Sequence, residues 1–247
     1  MAGGTTSRSS AEPADSSRGT RRAGHGEHRL PPSAAVLVAA ALYGLLPESL
    51  LFAPRFLIPA LELALLVALV VHDPRRLTRQ TRWSRLASLT LAALVTLTNL
   101  AALALLVRDL TTKSPGGAEL LLAALQVWAT GVIAFGLLYW ELDRGGPVSR
   151  ATVRRDRLPL ADFRFTQDET AETVAEVAAG SSQRSGWIPT FVDYLYLSTT
   201  NSSAFSPTDT MPLSPRAKIL MGIQATAALL TSLLVIARAV GALGGGG

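Results

Sequence analysis

The sequence predicts an all-α polytopic membrane protein with four or five transmembrane helices and one re-entrant, pore-helix-like segment near the C-terminus. Three observations predict it. The chain has 247 residues, of which 49% are hydrophobic and only 17% charged, against about 25% charged in a soluble domain. Its apolar residues lie in blocks close to the roughly 20 residues that cross a hydrocarbon core of about 30 Å as a helix. Its arginines fall between those blocks, and more of them on one set of alternate loops than on the other.

Residues 1–32 form a basic, cytoplasmic, disordered tail in this reading. Gly, Ser, Thr and Arg dominate the segment, and it has too little apolar surface to offset the entropy of ordering. Ser33–Phe52 is the weakest apolar block, interrupted by Pro47 and Glu48. Leu57–His72, Leu86–Val107, Glu119–Trp140 and Ala217–Val240 are strong blocks. Glu119–Trp140 ends in Tyr139-Trp140, a pair suited to a lipid–water boundary. Arg238 in the last block must snorkel or find a partner. Residues 33–140 therefore read as transmembrane helices one to four. Residues 141–186 read as a polar insert, in which Asp168–Gly180 suggests a short helix with an acidic start and a glycine stop. Residues 187–247 hold a short apolar piece and the last transmembrane helix, with Gly244–Gly247 a flexible end.

Arg75, Arg76, Arg79, Arg82 and Arg85 share one loop, and Arg150, Arg154, Arg155 and Arg157 share the insert. The opposite loops hold Arg55, and Arg108 with Lys113. The positive-inside rule then places the N-terminus and the insert in the cytoplasm of a multi-pass cell-membrane protein. The net charge of +5 is accounted for by topology and headgroup contact, and no aromatic-rich basic groove suggests nucleic acid. The expected partners are the bilayer, further copies of the chain in a homo-oligomer, and a small ion or solute of unstated identity.

Trp187–Val240 is the informative stretch. Phe191, Tyr194, Leu195, Tyr196 and Leu197 suggest a short helix. The hydroxyl-rich Ser198-Thr199-Thr200-Asn201-Ser202-Ser203 follows, then Asp209, Pro212, Arg216 and Lys218, then a long apolar helix. Irregular, hydroxyl-rich backbone at membrane depth belongs in protein or against a wet cavity. This order resembles the pore loop and inner helix of tetrameric cation channels. Tyr196-Leu197-Ser198-Thr199-Thr200 matches the start, Asp209 and Pro212 lie near the filter Asp and following Pro, and Pro215-Arg216 resembles the basic start of the inner helix. Ser203-Ala204-Phe205-Ser206-Pro207 stands where the Gly-Tyr-Gly filter would be. Without glycines there, carbonyls are hard to aim at a pore axis, so no potassium filter is expected.

Most of the chain after the tail also resembles a family of bacterial integral membrane proteins defined by a domain of unknown function. The residues that carry this are His72-Asp73-Pro74-Arg75-Arg76, the aromatic end of the fourth helix, and Trp187 with the Asp193-Tyr194-Leu195-Tyr196-Leu197-Ser198-Thr199-Thr200 block. The resemblance implies a fold and a membrane location, and no activity. In channels the pore loop enters from outside, whereas the arginines here put residues 141–186 inside. Trp187–Phe205 therefore either crosses as a short sixth span or dips in from the cytoplasmic face, and Arg216 and Lys218 favour the second.

Ionisable and polar groups at membrane depth are functional candidates. Those read as an ion pathway are Ser198, Thr199, Thr200, Asn201, Asp209 and Glu62. The alternatives are a helix end satisfied by its own hydroxyls, a turn or cap role for Asp209, and a hydrogen-bonded carboxyl facing the bundle for Glu62. Asn99, Gln126 and Gln224 read as interhelical hydrogen bonders. The chain has no cysteine and its histidines are His25, His28 and His72. No metal cluster, nucleophile–base pair or phosphate loop can be assembled from these residues, so neither enzyme activity nor a cofactor is expected. The leading function is a degenerate channel-like conduit for an ion or small solute. The alternative is a structural or partner-binding membrane protein.

Overall fold

A computed structural model describes residues 26–72, 77, 81–112, 117–169, 172–203 and 209–244. Most of the basic tail, Arg75, Arg76, Arg79, Lys113, Ser206-Pro207 and the last three glycines lie outside the described residues. The described chain is all-α apart from one short strand pair. The helices are α1 (Leu30–Gly44), α2 (Leu57–His72), α3 (Arg82–Thr112), α4 (Gly117–Leu142), α5 (Pro147–Thr152), α6 (Ala175–Ala178), α7 (Phe191–Ser203) and α8 (Pro215–Gly244). Strands β1 (Phe163–Arg164) and β2 (Met211–Pro212) pair antiparallel, with Phe163 opposite Pro212.

Among the described residues, three segments are long and apolar enough to cross a membrane: Arg82–Asp109, Glu119–Gly145 and Pro215–Ala237. The two earlier apolar helices are shorter. Pro31 and Pro32 follow Leu30 in the first turn of α1, where a missing N–H has no intrahelical acceptor to lose. Pro47 sets an extended residue and a 3-10 turn over Glu48–Leu50, so α1 ends at Gly44. At about 1.5 Å per residue, α1 and α2 are each about 22–24 Å long, below the thickness of the hydrocarbon core.

α4 is the hub, packed by α1, α3, α7 and α8. One core cluster joins Val36, Leu69, Val95, Phe135, Tyr139, Phe191, Tyr194 and Leu197. A second, towards the α4 N-terminus, joins Tyr43, Leu50, Ile58, Leu106 and Leu120. Gly136 permits the close α4–α7 approach, because a Cβ there would meet Leu195 Cα at 3.3 Å. Outward faces stay aliphatic: Leu61, Val67 and Val71 on α2, and Ile219, Ile223, Leu233 and Ile236 on α8, are exposed. Such continuous apolar surface suits lipid rather than water.

The structure corrects several sequence expectations. Tyr139 and Trp140 are buried in the protein and do not face outward as lipid-boundary rings would. Tyr139 meets Phe163 edge-on at 5.1 Å and Trp140 meets Phe191 at 5.8 Å. The insert packs beneath α4, and its expected helix shrinks to the four residues of α6. The physical reason lies in Asp168, whose carboxylate binds Arg144 and Arg155 instead of opening a helix. The hydroxyl run is not irregular backbone, since α7 continues through Ser203.

Candidate functional site

The C-terminal end of α4 gathers most of the buried charge. The helix stops at Leu142, and Arg144, Gly145 and Gly146 all adopt positive φ, at 50°, 78° and 92°. That left-handed turn satisfies a helix end and turns Asp143 inward, where it is fully buried. Asp143 Oδ1 accepts the Asp162 N–H at 2.7 Å and, more weakly, the Phe163 N–H at 3.4 Å. Its Oδ2 accepts the Tyr194 hydroxyl at 2.5 Å. Arg150 is 1% exposed. It donates to Trp140 O and Asp143 O, both at 2.8 Å, and lies 4.8 Å from the centroid of the Tyr194 ring. Arg144 donates to Asp168 at 2.6 Å and Phe163 O at 3.2 Å, which holds a non-glycine residue at positive φ.

The same end fixes the start of α8. Arg216 forms a forked pair with buried Asp162, Nε to Oδ1 at 2.7 Å and Nη2 to Oδ2 at 2.5 Å, and Ser214 also donates to Asp162. It fixes the start of α7 as well. Glu27, just before α1, accepts the Phe191 N–H at 2.6 Å and the Trp140 Nε1–H at 2.9 Å. Arg85 of α3 pairs with buried Glu141 at 2.7 Å, and Ser88 donates to the same oxygen at 3.1 Å. Gly146 suits this position because side-chain-bearing residues rarely adopt its φ of 92°, and a Cβ would also crowd Arg85 Nη1 at 2.1 Å. Removing one partner of such a buried pair leaves an uncompensated charge, at about 3–5 kcal/mol.

The sequence-derived candidates divide between separate places. Ser198 and Asn201 meet Gln224 of α8 between α4, α7 and α8, and all three are buried. Ser198 donates to Val132 O at 2.7 Å. Gln224 Nε2 faces Ser198 O, Ser198 Oγ and Ser202 Oγ at 2.9, 2.6 and 2.8 Å. Gln224 Oε1 accepts from Tyr139 at 2.6 Å and Asn201 at 2.9 Å. Thr199 and Thr200 bond back to carbonyls one turn earlier on α7, Leu195 O and Tyr196 O. Asp209 is exposed and accepts from Thr210 at 3.4 Å, beside β2. No hydrogen bond joins it to the α7 hydroxyls among the described residues. Glu62 is 2% exposed on α2, and its Oε2 has no hydrogen-bond partner among the described residues. The structure does not bring it to the Gln224 cluster.

Two openings adjoin these groups. A cleft with about 270 Å³ of empty space is lined by Asn99, Trp128, Ser202, Gln224 and Thr231. A larger one, about 720 Å³ including its open mouth, lies between α1, α2, α3 and α4 beside Arg29, Arg85 and Glu141. No group of three or more His, Cys, Asp or Glu side chains able to hold a metal occurs among the described residues. Comparison with protein-family models, curated proteins and solved structures gave no match to this chain.

Two outcomes follow from this geometry. Gln224→Leu strips partners from Tyr139, Ser198, Asn201 and Ser202, and should destabilise the detergent-solubilised protein by about 1–3 kcal/mol, read as a lowered melting temperature. Thr200→Val, which removes only a bond within one helix, should stay within about 0.5 kcal/mol. The second concerns pH. Desolvation by burial raises the Glu27 carboxyl above the ordinary 4.5, outweighing the Phe191 and Trp140 N–H groups that favour its charged form. A raised folded value means that its stabilising contribution is full below the ordinary one and is lost as pH climbs through the raised one. Paired melting curves should show wild type losing stability relative to Glu27→Gln as pH rises from 4.5 through that window. Parallel curves would contradict the assignment.

Proposed function

We propose that this chain is a multi-pass membrane protein that binds a ligand or partner within the bilayer and does not itself conduct. One observation carries the reading: Ser198, Asn201 and Ser202 turn into the protein, where Gln224 and Val132 take up their hydrogen bonds. A conducting path needs polar groups that can exchange protein partners for ions or water, and these are committed to one another. The open cleft beside Arg29 and Arg85 provides a place for binding.

In this reading α1 and α2 cross together with α3, α4 and α8, and α7 re-enters. Three placements support the re-entry. The start of α7 is tied to Glu27 and Trp140 at the α4 C-terminal end. At about 20 Å, α7 is shorter than α1, α2 and the three long apolar helices. β2, which follows, pairs with β1 at that same end. Arg82, Arg85, Arg150, Arg154, Arg155, Arg157 and Arg216 favour the cytoplasm for this side, and with it a cytoplasmic N-terminus. A second reading, conduction by a homo-oligomer, is favoured by the polar lining of the smaller cleft, Asn99, Ser202, Gln224 and Thr231.

Flux assays on proteoliposomes separate the two. Binding without conduction predicts potassium, sodium, chloride and proton fluxes equal to those of empty vesicles, in wild type, Asn201→Leu and Glu62→Gln alike. Flux above that background, abolished by Asn201→Leu or Glu62→Gln, would establish the conduit.

A further inference from the structure

Strands β1 and β2 form a small sheet whose two faces differ. Phe163 pairs with Pro212 and Arg164 with Met211. The Leu213 N–H donates to Asp162 O at 2.7 Å, which extends the ladder by one step. Side chains alternate across a strand, so Phe163, Phe165 and Thr210 share one face. All three are buried, and the two rings pack edge-on against Tyr194. The opposite face carries Asp162 and Arg164 with Met211 and Leu213, and Leu160 continues it at the edge. Asp162 is covered by Arg216, and Arg164 is held by Glu169. The aliphatic side chains are not covered: Leu160 is 92% exposed, Met211 54% and Leu213 48%. A sheet face turned to water ordinarily carries polar residues at such positions.

This face lies where the chain turns into its last long helix. β2 ends at Pro212, and an apolar segment long enough to cross a membrane starts at Pro215. At about 3.3 Å per extended residue, the face lies within about 10 Å of that start. Arg216 joins the two surfaces. Its guanidinium reaches back to Asp162, and on α8 it heads a stripe with Ile219 and Ile223, spaced as one helix face. Both isoleucines are exposed, so the outward sheet face is continuous with the outward face of α8. Arg157, three residues before Leu160, and Lys218, in the first turn of α8, are exposed. Long cationic side chains beside aliphatic ones suit a lipid–water boundary, with stems in the apolar layer and heads among the phosphates. A protein partner fits less well. A stable interface takes about 800 Å² from each side, more than Leu160, Met211 and Leu213 offer.

We infer that the outward face of the β1–β2 sheet is a lipid-contact surface, with Leu160, Met211 and Leu213 seated at the headgroup–acyl boundary beside the start of α8. The insert then rests on the bilayer instead of standing clear of it. The inference goes beyond binding in the cleft and depends only on α8 crossing the membrane.

The test uses the full chain, which has no cysteine of its own, in phosphatidylcholine nanodiscs. Leu160→Cys, Met211→Cys, Ile223→Cys and Arg154→Cys each carry one bimane label. All four residues are exposed, so the substitutions spare the core. The quenchers are a lipid bearing a nitroxide high on its acyl chain, and aqueous iodide. Ile223 is the lipid-facing reference and Arg154 the aqueous one. An element seated at the boundary predicts lipid quenching at Leu160 and Met211 roughly threefold stronger than at Arg154. A label at either position that iodide quenches and the nitroxide lipid does not would put the face in water and overturn the inference. A label that neither quencher reaches would mean a protein cover, from a second copy or from residues 204–208, and would overturn it equally. If the nitroxide lipid fails to quench Ile223, the crossing of α8 falls and the inference falls with it. Quenching at Ile223 without quenching at Leu160 and Met211 removes this inference alone.

Discussion

A carboxylate taken fully out of water must find its partners inside the protein, and Asp143 imposes that requirement on the rest of the structure. Its two oxygens accept from Asp162 and Phe163 in the insert and from Tyr194 in α7. Its main-chain oxygen accepts from Arg150 of α5. A single residue just past the end of α4 thus specifies where the insert, α5 and α7 must lie. Asp162 repeats the logic one step outward by holding Arg216 and Ser214, and so positions the start of α8. Glu27 and Glu141 do the same for the approach to α1 and for α3.

Because these anchors share one end of α4, they fix the register of the helices that leave it. The registration places Ser198, Asn201 and Gln224 at a common depth. Their mutual hydrogen bonds there replace the water that hydrocarbon cannot supply. Hydroxyls that would look like a pore lining in an extended loop become, on a helix of this pitch, the contact between α7 and α8. The polarity of the segment serves packing, while the cleft beside Arg29 and Arg85 retains open volume next to fixed charge.

Helix existence was legible because it depends on local runs of apolar residues. Leu57–His72 can be read directly as a helix, and Pro47 marks where α1 fails. Orientation of side chains was not legible in the same way. Tyr139 and Trp140 have the amphipathic rings of interfacial residues, yet they face inward because Phe163, Phe191 and Gln224 meet them there. Arg216 is visible as a basic residue before a helix, but its partner Asp162 lies 54 positions away. Asp168 resembles a helix start until Arg144, 24 positions earlier, is known to claim it. Asp143, Arg150 and Glu27 carry no local signature, since charged residues flanking apolar blocks ordinarily remain in solvent. Two weak signals existed: Gly145-Gly146-Pro147 marks a sharp turn, and the aromatic density of 187–197 exceeds what a lipid-facing helix needs.

The central proposal is that the chain enters the membrane with α7 and returns to the same side before α8, held by the α4 C-terminal cluster. The natural absence of cysteine makes this directly measurable with single cysteines at Gln183, Leu213 and Arg154, labelled by an impermeant maleimide in sealed vesicles of known orientation. The account predicts that all three react from one and the same side. Labelling of Gln183 and Leu213 from opposite faces of the membrane would contradict it.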